Sequence, residues 1–166
     1  MKNVFVFALL GLLNVVALAQ TPPTTPAARL TVTGAVARPL VWSAGEVAEQ
    51  PHVTVKAKDK QGKEHTYSGV PLSALLEASG AVADNKLHGK EFLKALKITA
   101  ADNYQVFFAL AELDPNLATR TIILADRCDG KPLAAGAGPG QVIVPGEKKP
   151  GRWIRQVTGM QVVTLP

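Results

Sequence analysis

Alternating apolar and polar positions predict a chain built mainly of short strands. Residues 30–36 alternate and then reach Arg38-Pro39, which is typical of a strand with a sharp exit. Residues 53–58 alternate again, with apolar side chains on one face and lysines on the other. A turn at residues 59–62 and an extended return over residues 64–67 complete a predicted β-hairpin with one solvated face.

Helical spacing is confined to short stretches. Ser43 can cap a helical turn that runs through Glu46 and Val47. Between residues 72 and 79 the apolar positions repeat at helical spacing, and Gly80 stands where a helix ends in the left-handed conformation. A further helix is predicted over residues 90–96.

The remaining apolar stretches predict more strands. Asp129-Gly130 indicates a tight turn, and the glycine-rich residues 136–140 indicate a flexible loop. Strands outnumber helices and do not alternate with them as in a doubly wound sheet, so the predicted fold class is β-rich α+β. These additional strands are predicted at residues 97–99, 104–110, 121–125, 142–144 and 153–163.

The N-terminus has the layout of an export signal. Lys2 precedes an apolar stretch over residues 4–13, and Ala17-Leu18-Ala19 matches an A-x-A cleavage site. We therefore expect a signal peptide over residues 1–19, with an uncleaved anchor as the alternative. A Pro/Thr linker then precedes one domain, and the mature chain is expected to be periplasmic or secreted. The predicted linker spans residues 20–28 and the predicted domain spans residues 29–166.

Composition and charge narrow the classes of protein. Apolar residues make up 47% of the 166 residues and charged residues 19%, which excludes a disordered chain. A single cysteine excludes a disulfide scaffold. Without Lys2, 17 basic residues face 13 acidic ones, an excess of four that favours no nucleic-acid partner for an exported chain. No second long apolar run follows, so no membrane span is expected after cleavage.

Motifs that would identify a common enzyme class are absent from the sequence. The chain has no phosphate-binding loop, no H-E-x-x-H, no C-x-x-C and no G-x-S-x-G. His52, His65 and His88 are scattered, so we expect surface histidines and no metal site. Cys128 is compatible with a buried apolar residue, a reactive thiol or an intermolecular bridge.

A basic cluster near the C-terminus is the clearest candidate for binding. Four cations lie within eight residues and beside Trp153, an arrangement that can hold an anion. The alternative is a solvated loop on a basic protein. The four cations are Lys148, Lys149, Arg152 and Arg155.

Six short stretches occur in the order that one family shows. The chain resembles, over most of residues 30–163, the oxidoreductase molybdopterin-binding domain, which is the fold of sulfite oxidases and related periplasmic molybdenum enzymes. The resemblance implies mixed sheets with a few short helices. The matching stretches are T-G-A-V at 33–36 with Arg38-Pro39, Y-S-G-V-P-L at 67–72, A-D-N-Y at 101–104, I-L-A at 123–125 with D-G-K-P-L at 129–133, G-P at 138–139 with V-I-V-P at 142–145, and R-W-I-R at 152–155.

Two departures from the family pattern bear on function. In the family, a cysteine before the W-x-G-V-P-L motif ligates molybdenum, but residues 51–66 contain no cysteine, and Cys128 lies elsewhere. The family's arginine before the V-V-P strand corresponds to Gln141. We therefore expect no bound cofactor, with molybdopterin as the one that the resemblance leaves open, and no metal ligand.

The resemblance also implies which residues line the pocket. Tyr104 corresponds to a substrate-pocket tyrosine, and Arg152 replaces a lysine near the cofactor. Each has a structural alternative, as a core-edge aromatic or a surface cation. The candidate cofactor-binding residues are Tyr104, Gln141, Lys148, Lys149, Arg152 and Trp153.

Three hypotheses follow for function. The first is a non-catalytic or accessory member of the family that binds an anionic small molecule or a partner protein. The second is a molybdenum cofactor-dependent oxidoreductase of the sulfite oxidase type, so enzymatic activity stays open. The third is an interaction subunit for a membrane or periplasmic redox partner, since a basic face can steer association with an acidic one.

Overall fold

The computed structural model describes residues 29–82 and 87–166. The predicted signal peptide (residues 1–19) and Pro/Thr linker (residues 20–28) lie outside the described residues. No helix in the described part of the chain is long and apolar enough to cross a membrane.

Ten strands and two α-helices follow one another along the described part of the chain. The β-rich α+β class predicted from the sequence is confirmed. The helices are α1 (Ala44–Ala48) and α2 (Leu72–Ser79). The strands are β1 (Arg29–Gly34), β2 (Leu40–Ser43), β3 (Val53–Lys58), β4 (Glu64–Pro71), β5 (Lys94–Ala100), β6 (Gln105–Ala109), β7 (Ile123–Cys128), β8 (Lys131–Pro132), β9 (Gln141–Ile143) and β10 (Val157–Thr164).

The strands form two sheets. The first has the order β2-β1-β10-β5-β6, with β1 and β10 parallel and its other pairs antiparallel. The second has the order β3-β4-β7-β8, and β9 pairs with β7 beside β8. Apolar side chains of both sheets and of α2 make one buried cluster, so a single core supports the loops at the sheet ends.

The chain turns between β4 and α2 as the sequence pattern predicts. Leu72, Leu75 and Leu76 are buried on one face of α2. Gly80 ends the helix in the left-handed conformation with φ +64°, which glycine adopts without a Cβ penalty. Its place against Ala37 holds α2 beside the loop that follows β1.

The helix predicted over residues 90–96 is wrong. A 3₁₀ turn covers Gly89–Leu93, and β5 begins at Lys94. Ile98 and Ala100 are buried and alternate with less buried neighbours, which is the strand period. The strand predicted over residues 153–163 is also shorter, because β10 begins only at Val157.

We expect Ser43→Ala to lower the free energy of unfolding by about 1 kcal/mol. Ser43 accepts a hydrogen bond from the N–H of Glu46, and Glu46 accepts one from the N–H of Ser43. The backbone N–H and hydroxyl of Ser43 lower the pKa of Glu46. The stabilisation by the Glu46 carboxylate is therefore present above the pKa of Glu46 in the unfolded chain, and it is lost as the pH falls through the lower pKa of the folded chain. Urea denaturation at pH 7 and pH 2 measures it. The bond from the Glu46 N–H does not titrate, so part of the difference should persist in acid, and a difference of equal size at both pH values would contradict the carboxylate's role.

Candidate functional site

A cavity of about 650 Å³ lies between loops that both sheets contribute. Its volume falls within the usual range for small-molecule sites, roughly 300–1,000 Å³. The β3–β4 turn, the loop after β5 and the segment before β10 supply most of the wall. The lining residues that bear polar or aromatic side chains are Asp59, Lys60, Gln61, Tyr67, Asp102, Tyr104, Gln141, Trp153, Arg155 and Gln156.

Three of the candidate residues meet in this cavity: Tyr104, Gln141 and Trp153. The Tyr104 side chain is about half exposed, and its hydroxyl donates to the Gly151 carbonyl at 3.1 Å. Gln141 is buried at the start of β9, and its Nε2 donates to the Trp153 carbonyl at 3.5 Å. The Trp153 indole N–H donates to the Val144 carbonyl, which fixes the ring in the wall.

Arg152 is held away from the cavity by ion pairs. Its guanidinium lies 3.0 Å from Glu112 Oε1 and 2.7 Å from Glu147 Oε1, over the ring of Phe108. Burial opposes the charged form, but the two carboxylates outweigh it and raise the pKa of Arg152. The guanidinium therefore connects the 3₁₀ turn Leu110–Glu112, which follows β6, to the loop before Trp153.

Lys148 and Lys149 are exposed and do not line the cavity. The cluster of four cations is therefore divided in space. Arg155 is the member that reaches the cavity, and it is joined there by Lys60 from the β3–β4 turn. Lys60 was not among the candidate residues, and Arg155 was named only as a member of the basic cluster and not among the candidate cofactor-binding residues. Lys60 lies in a hairpin turn, where nothing in the sequence distinguishes it from a solvated lysine.

The charged side chains of the cavity differ in whether they already have partners within the protein. Asp59 accepts the N–H groups of Gln61 and Lys63 at 2.9 Å, and Asp102 accepts the N–H of Tyr104. Among the described residues, no acidic side chain forms an ion pair with Lys60 or Arg155. Lys60 and Arg155 are consequently cations that no described carboxylate pairs with, in a wall that also holds the carboxylates of Asp59 and Asp102.

Unusual backbone conformations occur at the cavity. Asn103 has φ +67° and Gln156 has φ +48°, which is the left-handed region that side chains other than glycine rarely adopt. The Ala101 N–H donates to the Gln156 carbonyl, and the Gln156 N–H donates to the Ala137 carbonyl. Three loops are thereby joined around the opening. Such conformations concentrate at ligand sites, where surrounding contacts maintain them.

The residues in the cavity do not fit a molybdenum centre held by a thiolate. The segment in which the family carries its cysteine reaches the cavity through Asp59, Lys60 and Gln61. None of the described residues that line the cavity bears a thiol, and Cys128 is not one of them. Carboxylate, amide and cationic groups do not replace a soft sulfur ligand.

A second polar cluster lies beside the cavity, and in it His65, predicted as a surface histidine, is only partly exposed. Only 16% of the His65 side chain is exposed. Its Nδ1 lies 2.7 Å from Asp129 Oδ2, and its Nε2 lies 3.3 Å from Asp59 Oδ2. His52 forms a comparable pair with Asp126 at 3.3 Å. Strand pairing across the sheet produces these contacts, which sequence spacing could not indicate.

Contacts within this cluster shift the pKa values of its titratable side chains. The bond to Asp129, opposed by burial and assisted by Asp59, raises the pKa of His65. His65 and the Thr66 N–H lower the pKa of Asp129 in return. Burial, with the charge of Asp129, raises the pKa of Cys128, so the thiol is protonated at neutral pH. Burial also raises the pKa of Tyr67 to about 12.

Comparisons with known proteins bear on the fold alone. No protein-family model and no curated protein matches the sequence. The chain is similar to a solved structure, the sulfane dehydrogenase SoxCD from Paracoccus pantotrophus, with a TM-score of 0.64 and 21% sequence identity. The match covers 81% of this chain and 37% of that chain, so it spans little more than a third of the larger protein. This chain therefore has a molybdopterin-related fold of the sulfite oxidase type, as its motifs predict.

Proposed function

We propose that this chain is an exported, non-catalytic domain that binds an anionic small molecule in the cavity of about 650 Å³. The observation that carries the proposal is the chemistry of the wall. Lys60 and Arg155, which form no ion pair with any described residue, line a space of ligand size whose described wall contains no thiol. The wall is thus equipped to hold an anion and lacks the ligand on which molybdenum chemistry in this fold depends.

In the proposed binding mode, cationic, aromatic and amide side chains each make a different kind of contact with the anion. Arg155 offers a planar fork of N–H donors that matches two oxygens of an oxyanion, and Lys60 adds a point charge. The half-exposed ring of Tyr104 supplies a flat apolar surface beside them. Gln141 is buried in the wall, in the position where the family has an arginine, so it offers an uncharged amide in place of a cation.

Isothermal titration at low ionic strength tests this function. The solved structure similar to this chain is a sulfane dehydrogenase, so the panel contains sulfite, thiosulfate, sulfate and phosphate, together with molybdopterin. We expect one compound at least to give saturable heat at one site per chain, weakened by added salt because both cations are exposed. No saturable heat with any of them would refute the proposal.

The molybdenum-dependent oxidoreductase remains the rival function, and metal content separates the two. Protein purified from its own exporting host is expected to carry less than about a tenth of a molybdenum atom per chain, since a site without its ligands does not retain a metal. About one molybdenum atom per chain, with a redox activity that disappears when the metal is removed, would establish the oxidoreductase function and contradict a non-catalytic role.

A further inference from the structure

We propose that His65, Cys128 and Asp129 form a zinc-binding site beside the anion cavity. One ligand atom from each residue lies within 4.8 Å of the others: an imidazole nitrogen, a sulfur and a carboxylate oxygen. Nitrogen, sulfur and oxygen together make a donor set that zinc prefers, and three protein ligands leave a fourth position for water.

Strand pairing creates this convergence. Tyr67 of β4 is paired with Cys128 at the end of β7. His65 lies two residues before Tyr67, so its side chain is on the same face of the sheet. Asp129 follows β7 directly, where its N–H donates to the Thr66 carbonyl and its Oδ1 accepts the Thr66 N–H. Both contacts hold Oδ2 of Asp129 toward the His65 ring.

The other nitrogen of His65 is the observation that favours a metal over a simple ion pair. Its Nε2 lies 3.3 Å from Asp59 Oδ2, and Asp59 is itself held by two backbone N–H groups. A carboxylate on the far nitrogen is the arrangement that orients histidine ligands of zinc and raises their basicity. Asp59 is thus a positioning residue, which leaves Nδ1 directed at Asp129.

Small adjustments bring the three atoms to zinc geometry. Tetrahedral bonds of about 2.0–2.3 Å place ligand atoms roughly 3.3–3.8 Å apart. The contact of 2.7 Å between His65 and Asp129 would have to open slightly, and the sulfur would have to approach. About half of the Asp129 side chain is exposed and it lies in a turn before Gly130, so it can move without disturbing the core.

Cobalt serves as the spectroscopic probe, with the purified, reduced full chain loaded with Co²⁺ and then titrated with Zn²⁺. We expect one Co²⁺ per chain, visible d–d bands of tetrahedral intensity, a thiolate-to-cobalt charge-transfer band, and displacement of both by zinc. Cys128→Ser should abolish the charge-transfer band, and His65→Gln should weaken binding at least tenfold. Asp59→Asn should weaken binding about tenfold, as loss of an orienting partner does.

His52→Gln is the matched control, because His52 pairs with Asp126 at 3.3 Å and no thiol belongs to that pair in the described part of the chain. It should leave cobalt binding unchanged. Absence of a thiolate band in the wild-type chain, or an equal loss in His52→Gln, would overturn the proposal, and circular dichroism of each variant verifies that it is folded. Anion titrations in chelator keep the two sites separable, because the anion cavity is expected to bind without zinc.

Discussion

Replacement of Gly69 by alanine is expected to lower the free energy of unfolding by at least about 3 kcal/mol, the upper end of the usual cost of overpacking. A Cβ at this position would lie 2.1 Å from the Leu124 carbonyl oxygen and 2.4 Å from the Ala125 Cα. Both atoms belong to the backbone of β7, so no change of rotamer relieves the clash. β4 and β7 would have to separate at the centre of their sheet.

Gly45→Ala is the matched control for this substitution. Gly45 lies in α1, where a Cβ would meet only the Ser43 side chain at 3.8 Å. Alanine is favoured over glycine inside a helix by about 1 kcal/mol, so this variant should be as stable as the wild type or slightly more stable. Urea denaturation compares the two variants. A Gly69→Ala protein with wild-type stability would contradict the close packing of β4 against β7.

The double substitution Lys60→Gln/Arg155→Gln is expected to weaken anion binding roughly 30-fold. Each cation would donate a charge-assisted hydrogen bond, and exposure reduces its contribution to about 1 kcal/mol, or about fivefold in affinity. Both side chains are exposed, so their substitution should leave the fold intact. Isothermal titration with the anion that binds most tightly to the wild type measures the loss.

Lys148→Gln/Lys149→Gln is the control with the same change in net charge. Both lysines are exposed and lie outside the cavity wall. We expect less than about a twofold change in affinity, since a charge at the surface acts weakly and is screened by salt. An equal loss in both double variants would show that overall charge attracts the anion, and would contradict recognition by Lys60 and Arg155.

Local patterns along the chain were sufficient for most of the fold. Gly69 and Gly80 stand where only glycine fits, one against a neighbouring strand and one at the end of α2, and both belong to stretches from which the fold was predicted. The helix predicted over residues 90–96 is wrong because charged residues there suit either structure. Pairing of Ala95 with Ala109, supplied by β6, decides the matter and is not a local property.

The candidate site was less predictable because it depends on contacts between distant segments. Arg152 was expected beside the cofactor, but Glu112, 40 residues away, draws its guanidinium to the other side of the loop. Arg155 reaches the cavity instead, although the two arginines are near neighbours in the sequence. Tyr104 and Gln141 do meet there, in line with the family motifs that first marked them.

The contact between His65 and Asp129 was even harder to predict from the sequence. The two side chains are 64 residues apart in the chain and 2.7 Å apart in space. Only the register of β4 on β7 joins them, and no spacing rule for metal ligands describes such a pair. Sequence patterns therefore indicated the strands here and not the chemistry that their pairing assembles.

Nuclear magnetic resonance of the ¹⁵N-labelled chain tests most directly whether the cavity is the binding site. During titration with the tightest-binding anion, we expect the largest amide shifts at Tyr104, Gly151 and Gln156, together with the Trp153 indole. Lys148 and Lys149 should shift little. Shifts confined to those two lysines, or no saturable shift anywhere at millimolar anion, would contradict an anion-binding function for this cavity.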